Sequence, residues 1–458
     1  MKAPDLVVVS NRGPLSFALD GTGRPVPAGS AGGLAAALHP LLAGSGATWV
    51  ASAMSEADRL ASAQGLMVGD GLTLRTVEPD PTTYRLAYDV ISNVTLWFLH
   101  HMLFDLTRRP RFDHRWQEAW TAYRAYNELF ARPIVDGAAD GAVVLVQDYH
   151  LTLLPGILAR ARPDLRLVHF SHTPFTDPSG LRILPTVAGL EMLEGMAAAT
   201  CGFHTTRWRD AFLACCLDAG VTAPRTFVAP LASDADHLAA RAASPACAAA
   251  LDRLAPLIGN RRLILRVDRM EPSKNLLRGF WAYDELLRTH PRLRGEVVFL
   301  ALAYTSRQTL PEYLAYGTEV EEAARRVNDT WGTATWTPVV LDVADDADRS
   351  FAALTRYDVL LVNPLRDGLN LVAKEGPLVN TTDGVLVLSR EAGAHAELAT
   401  EVVTVNPFDT AGTAAALAAA LAMGPAERAR RARALRELVS RRSPADWLAD
   451  QVAAAGPG

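Results

Sequence analysis

Cations stand where short apolar runs end. Arg269 and Lys274 lie in VDRMEPSK, residues 267–274, directly after one such run. Two cations together at a strand end can flank a diphosphate and stabilise negative charge developing on a leaving group. On an open surface the same pair would be solvated ions of little consequence. Residues 363–375, NPLRDGLNLVAKE, add a turn carrying Arg366, Asp367 and Gly368, then a helix opening near Asn370. Backbone N–H groups at such a helix start suit a phosphate. Asp367 can accept from sugar hydroxyls, cap the helix, or do both, and Glu375, about one turn in, can reach ribose hydroxyls.

Three earlier segments offer further polar chemistry. SNRG, residues 10–13, puts Arg12 just after the first apolar run, and GSAGGL, residues 29–34, then leads into a helix. Glycines let a backbone approach a phosphate, and a helix start presents free N–H groups. The insertion between this loop and the first strand excludes a compact dinucleotide fingerprint. VQDYH, residues 146–150, leaves Asp148 and His150 at the end of another run, where Asp148 either meets a ligand or caps the next helix. In HFSHTPF, residues 169–175, His172 is either a ligand contact at a strand end or a satisfied core histidine.

These segments need strands to hold them. Val/Leu-rich runs at Leu6–Ser10, Ala142–Gln147, Leu165–Ser171, Leu263–Val267, Val297–Leu302, Asp358–Val362, Gly384–Leu388 and Val402–Asn406 show little polar alternation, as expected of strands covered on both faces. Helical patterns lie between them, including His114–Val135, Asn275–Arg288, Leu310–Arg326 and Ala411–Met423. The alternation marks an α/β protein with parallel sheets. It runs twice, so the reading is two Rossmann-like domains, at 1–234 and 235–441, facing each other with strand ends directed at a shared cleft. The last stretch, 442–458, opens with Ser443 as a helix cap before Pro444 and is expected to return to the N-terminal domain.

Composition narrows the function class. The chain has 458 residues, and 45 Lys and Arg against 50 Asp and Glu leave a net charge of −5. That balance disfavours nucleic acid or an anionic membrane as main partner, so an anionic ligand must be met by local cations. Four cysteines, Cys201, Cys215, Cys216 and Cys247, are too sparse for a disulfide scaffold, and no CxxC spacing occurs. MKAPDLVVVSNRG reads as a first strand and not as a signal peptide, and no run of about 18 apolar residues is present. A cytoplasmic enzyme without metal or cofactor is expected, with homo-oligomerisation left open.

In this order the segments resemble the trehalose-6-phosphate synthases, a family of retaining glycosyltransferases with two facing Rossmann-like domains (the GT-B fold). PLRDGLNLVAKE carries the resemblance most specifically, with SNVTLW at 92–97, VQDYHL at 146–151 and TSR at 305–307. The resemblance implies that Arg12, Tyr88, Asp148 and Arg307 hold glucose 6-phosphate and that Trp49 and Trp97 shape the acceptor pocket. It implies that Gly32 and Gly33 belong to a loop over the donor and that Arg269 and Lys274 hold its diphosphate. His172 and Asp367 then contact the transferred glucose, while Asn370, Leu371, Val372, Ala373, Lys374 and Glu375 form the segment that binds diphosphate and ribose. The implied partners are a nucleotide-sugar donor and a sugar-phosphate acceptor. Since such sites exclude water, closure of the two domains on binding is expected.

The chain departs from the family's pattern in places. DRMEPSKN stands for the common DRLDYTKG, Asn363 precedes PLRDG where Thr is usual, and HTPFTDP stands for HIPFP. The family grips the donor base with a loop that here reads LDVADDAD, residues 341–348, and is acidic. Guanine offers two adjacent donors to a carboxylate, whereas uracil flanks one donor with two carbonyls. Asp345, or its neighbours Asp342 and Asp346, therefore favours GDP-glucose over UDP-glucose, unless these aspartates only cap the next helix. A different phosphorylated acceptor, a pseudo-glycosyl transfer and a non-catalytic sugar-nucleotide sensor are the rival readings.

Overall fold

The computed structural model describes residues 5–28, 33–63 and 71–456. The chain divides into two compact units, one of Met1–Leu231 with Pro444–Gly458 and one of Ala232–Ser443.

The first unit is built on a seven-stranded parallel sheet. Its order is Thr73–Val77, Thr48–Ser52, Leu6–Val9, Val143–Gln147, Arg166–Ser171, Thr200–Phe203 and Thr226–Val228. The first strand is central: Val7 pairs with Thr48 on one side and Val144 on the other. The chain winds outward in one direction and then returns to wind in the other, so the strand order reverses between Leu6–Val9 and Val143–Gln147. In open α/β sheets ligands bind beyond the carboxyl ends of strands at this switch point. Residues 10–13 and 148–150 occupy that place. A small antiparallel hairpin, Phe17–Leu19 with Pro25–Pro27, fills the insertion before helix Gly33–Leu42. Helix Pro444–Ala454 contributes Trp447, which is fully buried with its ring edge-on to Phe170 at 5.2 Å.

The second unit repeats the plan with six parallel strands. Their order is Val339–Asp342, Val297–Tyr304, Arg262–Arg269, Val359–Val362, Val385–Ser389 and Val403–Val405. The switch point falls between Arg262–Arg269 and Val359–Val362, where Ile264 pairs with Val359. Its core joins Phe280, Tyr283 and Leu287 of helix Leu276–Thr289, Val320 and Val327 of helix Pro311–Trp331, and Leu417 of helix Thr410–Ala422 to strand residues Ile264, Phe299 and Leu361. Each such side chain contributes about 1.5–3 kcal/mol by leaving water, which makes the sheet a rigid base for the loops at its ends.

Every strand expected from the sequence is present to within a few residues. Five others of the two parallel sheets, Thr48–Ser52, Thr73–Val77, Thr200–Phe203, Thr226–Val228 and Val339–Asp342, and the two hairpin strands were not apparent because they are short, Thr-bearing or at a sheet edge. Among the described residues no helix is long and apolar enough to cross a membrane. The four cysteines are buried and unpaired.

Candidate active site

Beyond the switch point of the second unit, the strand ends deliver charge. Arg269 closes its strand, and a single 3-10 turn, Pro272–Lys274, brings Lys274 around. From the neighbouring strand end comes Asp367, whose Oδ2 lies 2.6 Å from Lys274 Nζ with both side chains largely buried. Asn370 Nδ2 donates to the same Oδ2 at 3.1 Å, and Asn370 Oδ1 accepts the Ala373 N–H at 3.1 Å. Asn370 adopts φ 80°, a left-handed conformation that Asn tolerates, and so caps helix Val372–Val379 while steadying Asp367. The turn is laced to the next loop: Asp367 N–H donates to Glu391 O, and Gly393 N–H to Asp367 O. A Cβ on Gly393 would meet Gly368 O at 2.0 Å, so only glycine fits there.

A second group surrounds Glu271, a residue the sequence reading passed over. Its Oε1 lies 3.1 Å from Arg269 Nη1 and 3.9 Å from Arg307 Nη1, and it accepts from Ser306 Oγ at 3.1 Å. The carboxylate is fully buried, and its Oε2 has no hydrogen-bond partner. Burial opposes the Glu271 charge, but Arg269, Arg307 and Lys274 outweigh it and hold the carboxyl below its ordinary value. Burial likewise opposes the Lys274 ammonium, while Asp367 and Asp268 more than offset it and raise its pKa. Arg307 thus shares a carboxylate with Arg269 within the second unit and sits at φ 49° just past a strand end. The available signal was an acid between two cations right after a strand.

Beneath both groups Arg266 is wholly buried. It donates to Asp268 Oδ2 at 2.9 Å, to Asn363 Oδ1 at 2.7 Å and to the Lys274 carbonyl. Asn275, at φ 62°, donates to the carbonyls of Asn363 and Pro407 at 3.0 and 2.9 Å. The two positions that depart from the usual Gly and Thr therefore meet in one buried network.

The helix after Asp367 is less open than the sequence suggested. The Lys374 and Glu375 N–H groups both donate to Leu371 O, and the Lys374 ammonium is buried against Glu397 at 2.8 Å. Burial lowers the Lys374 pKa, and burial raises that of Glu375, which is half-buried. Leu371 and Val372 form the first turn. In the acidic loop, Asp342 pairs with Arg349, and Asp346 caps helix Ala347–Leu354 by accepting the Arg349 N–H at 2.9 Å. Asp345 remains exposed.

The first unit arranges its residues differently. Arg12 is exposed, with Nη2 3.5 Å from the Tyr88 hydroxyl. Tyr88 lies on a π-helical stretch, Leu86–Leu96, and stacks between Tyr84 at 5.1 Å and His150 at 5.6 Å. Such wide turns recur at functional sites. Trp97 follows that stretch and stacks on His101 at 3.9 Å. Trp49 is fully buried: its indole donates to Ser10 Oγ at 2.8 Å, and Ser10 Oγ donates to Arg12 O at 2.6 Å. It braces the Arg12 loop and presents no surface. Asp148 makes no helix-cap bond. Held at φ 71°, it accepts the His172 N–H on Oδ1 at 3.1 Å. Gly33 opens its helix, and Gly32 lies outside the described residues.

Both ring nitrogens of His172 are engaged. Nε2 lies 3.0 Å from Gln147 Oε1, and Nδ1 lies 3.2 Å from His204 Nε2. Burial, then His204 and His169 beside it, hold the imidazole well below its ordinary pKa, so it is neutral near pH 7.

A model of glycosyltransferase family 20 matches residues 4–455. The chain belongs to glycosyltransferase family 20. Its fold is that family's paired parallel-sheet architecture, and it is a glycosyltransferase. It is 32% identical to a trehalose-6-phosphate synthase of Mycolicibacterium smegmatis over 99% of this chain and 93% of that one. A bifunctional trehalose-6-phosphate synthase/phosphatase of Thermoproteus tenax is also 32% identical over 97% of this chain, which spans 62% of that protein's length. Among solved structures, a trehalose-6-phosphate protein from E. coli bound with UDP-2-fluoro glucose shares 30% identity at a TM-score of 0.86, covering 98% of each chain. A UDP-forming α,α-trehalose-phosphate synthase from Burkholderia xenovorans in complex with glucose 6-phosphate shares 28% at 0.85, covering 98% and 99%.

Proposed function

We propose that this enzyme transfers glucose from a nucleoside diphosphate glucose to glucose 6-phosphate with retention, giving α,α-trehalose 6-phosphate, and that it does so in the cytoplasm. The observation that carries the reading is the meeting of Lys274, Asp367 and Arg269 at the second unit's switch point. In this reading Arg269 and Lys274 stabilise charge on the departing diphosphate, and Asp367 and His172 contact the glucose. Asn370 to Glu375 hold diphosphate and ribose, with the Glu375 carboxylate on the ribose hydroxyls. Arg12, Tyr88 and Arg307 take the acceptor's phosphate, with Asp148 and Trp97 beside the sugar.

The bond between C1 and the diphosphate oxygen breaks as the acceptor's anomeric oxygen bonds to C1 from the same face. The leaving phosphate oxygen takes the acceptor's proton, so the protein supplies orientation and charge stabilisation and no acid–base group. The neutral, doubly bonded His172 ring is in keeping with that division.

For the donor base, the acidic loop narrows to Asp345, since Asp342 and Asp346 are committed to Arg349 and to the helix start. A free carboxylate there favours guanine. Uridine is the base in the names of the solved relatives above. Release of nucleoside diphosphate, measured with UDP-, GDP- and ADP-glucose against glucose 6-phosphate and other sugar phosphates, tests both points. Turnover should be highest with GDP-glucose and glucose 6-phosphate. A uridine preference ends the role given to Asp345, and no release with any donor ends the whole reading.

A further inference from the structure

A chain of hydrogen bonds runs from the backbone of Leu231 through two histidines to the C-terminal helix. Leu231 N–H lies 3.3 Å from His204 Nδ1, His204 Nε2 lies 3.2 Å from His172 Nδ1, and His172 Nε2 lies 3.0 Å from Gln147 Oε1. Gln147 Nε2 then donates to Gln451 Oε1 at 2.9 Å. Both ends of the chain bear on its direction. A backbone N–H can only donate, so His204 Nδ1 is an acceptor and the His204 proton is on Nε2. His172 Nδ1 must then accept, which places the His172 proton on Nε2, where it points at Gln147 Oε1.

The far end is as constrained. Gln147 and Gln451 are both fully buried, and turning either amide alone would set like groups against each other. Gln451 Nε2 is buried without a partner. Leaving such a donor unmet is unfavourable, and an aliphatic side chain would fill the position without that cost. What the amide supplies is its carbonyl, aimed at Gln147. Trp447, one turn earlier on the same helix, packs its ring 5.6 Å from that of His172.

We propose that Gln451 is a positioning residue for His172, acting through Gln147 to hold the imidazole in its Nε2–H form. A sugar hydroxyl that reaches this edge of His172 meets an N–H that it must share with Gln147 Oε1, and not a lone pair. The C-terminal helix thereby sets what His172 offers to the transferred glucose. This use of His172 rests on the transferase reading above, whereas the tautomer itself is a property of the unliganded protein.

The test uses the full chain labelled with [15N]histidine, the His172 signals being assigned by their loss in His172→Asn. Long-range 1H–15N spectra of the wild type near neutral pH should show protonated Nε2 and bare Nδ1 for both His172 and His204. An Nδ1–H form of His172 overturns the proposal, whether or not any variant folds. Gln451→Met keeps the volume and removes the acceptor. It should lower kcat by up to about tenfold, the value of one buried hydrogen bond, leave the acceptor KM within about twofold, and mix the His172 tautomers. Unchanged kcat, or a lower kcat with an unaltered His172 ring, overturns the role. Failure of the transferase reading would show separately, as absence of nucleoside diphosphate release by the wild type.

Discussion

The two switch points are built from different materials. In the second unit the site is a set of ion pairs, buried apart from Arg269: Lys274 with Asp367, Glu271 with Arg269 and Arg307, and Arg266 with Asp268 below them. In the first unit Arg12 lies exposed beside a stack of Tyr84, Tyr88 and His150, braced by neutral hydrogen bonds from Trp49 and Ser10. Under the proposed function the difference fits what each would bind. Charge that develops on a leaving diphosphate is best met by cations already fixed and dehydrated, since they need no reorganisation during the reaction. A phosphate whose charge does not change needs only to be held, and an exposed guanidinium beside an aromatic stack does that at lower cost.

The sharpest way to break this contrast is Lys274→Ala. It should reduce nucleoside diphosphate release by at least about 100-fold, the scale of removing a donor aimed at transition-state charge. It should also destabilise the fold by about 3–5 kcal/mol, because Asp367 loses its buried cation. Urea unfolding measures the second effect, and Lys274→Ala with Asp367→Asn should recover part of it without recovering activity. Activity within tenfold of wild type would remove the leaving-group role. Arg269→Ala should show a comparable loss of activity with less loss of stability, since Arg269 is about one-third exposed.

Arg307→Ala sharpens the comparison, because Arg307 sits among the second unit's ion pairs yet is assigned to the acceptor. Its expected signature is a KM for glucose 6-phosphate raised about tenfold or more with kcat changed far less, as for an interaction equal in ground and transition states. A fall in kcat as large as that of Arg269→Ala would instead place Arg307 with the leaving group.

A smaller effect separates the two units by pH. In the first unit, burial pushes the His169 imidazole down to about 4, and His172 is also held well below its ordinary value. Both are protonated in the unfolded chain below about pH 6.5 but not in the folded one. Stability should therefore be intact above 6.5 and fall as pH drops toward 4, by up to about 1.4 kcal/mol per pH unit for each histidine. Denaturant midpoints at pH 7, 5.5 and 4.5 measure this, and His169→Gln should flatten the slope. A midpoint independent of pH over this window would contradict the neutral state assigned to these rings.

Much of this was legible in the sequence, for identifiable reasons. Apolar runs such as Val143–Gln147 and Val297–Tyr304 announce themselves because both faces are covered, and polar residues after them fall at strand ends by default. Arg269, Lys274 and Asp367 were visible for that cause. Glu271 and Arg266 were not, because their roles depend on which strands are neighbours: Arg269 pairs in register with Tyr304, and that brings the Arg307 loop to Glu271. Gln451 lies 304 positions from Gln147, and no local pattern joins them. The buried state of Trp49 was equally hidden, since a tryptophan in a short strand reads the same whether its indole faces a pocket or the core.

Tyr88→Phe gives the mildest expected change and tests the first unit alone. The substitution removes the hydroxyl near Arg12 Nη2 and leaves the ring that stacks between Tyr84 and His150. If the aromatic stack does the positioning, it persists, and the melting temperature should move by no more than about 2–4 °C, the shift expected from about 1 kcal/mol in a large domain. The acceptor KM should rise only a few-fold, because one hydrogen bond at an exposed site contributes about 0.5–1.5 kcal/mol. Tyr88→Ala, which deletes the ring, should raise the KM well beyond that. Equal effects of the two substitutions would mean that the hydroxyl holds the phosphate and that the stack is only structural, and the first unit would then depend on polar contacts as the second does.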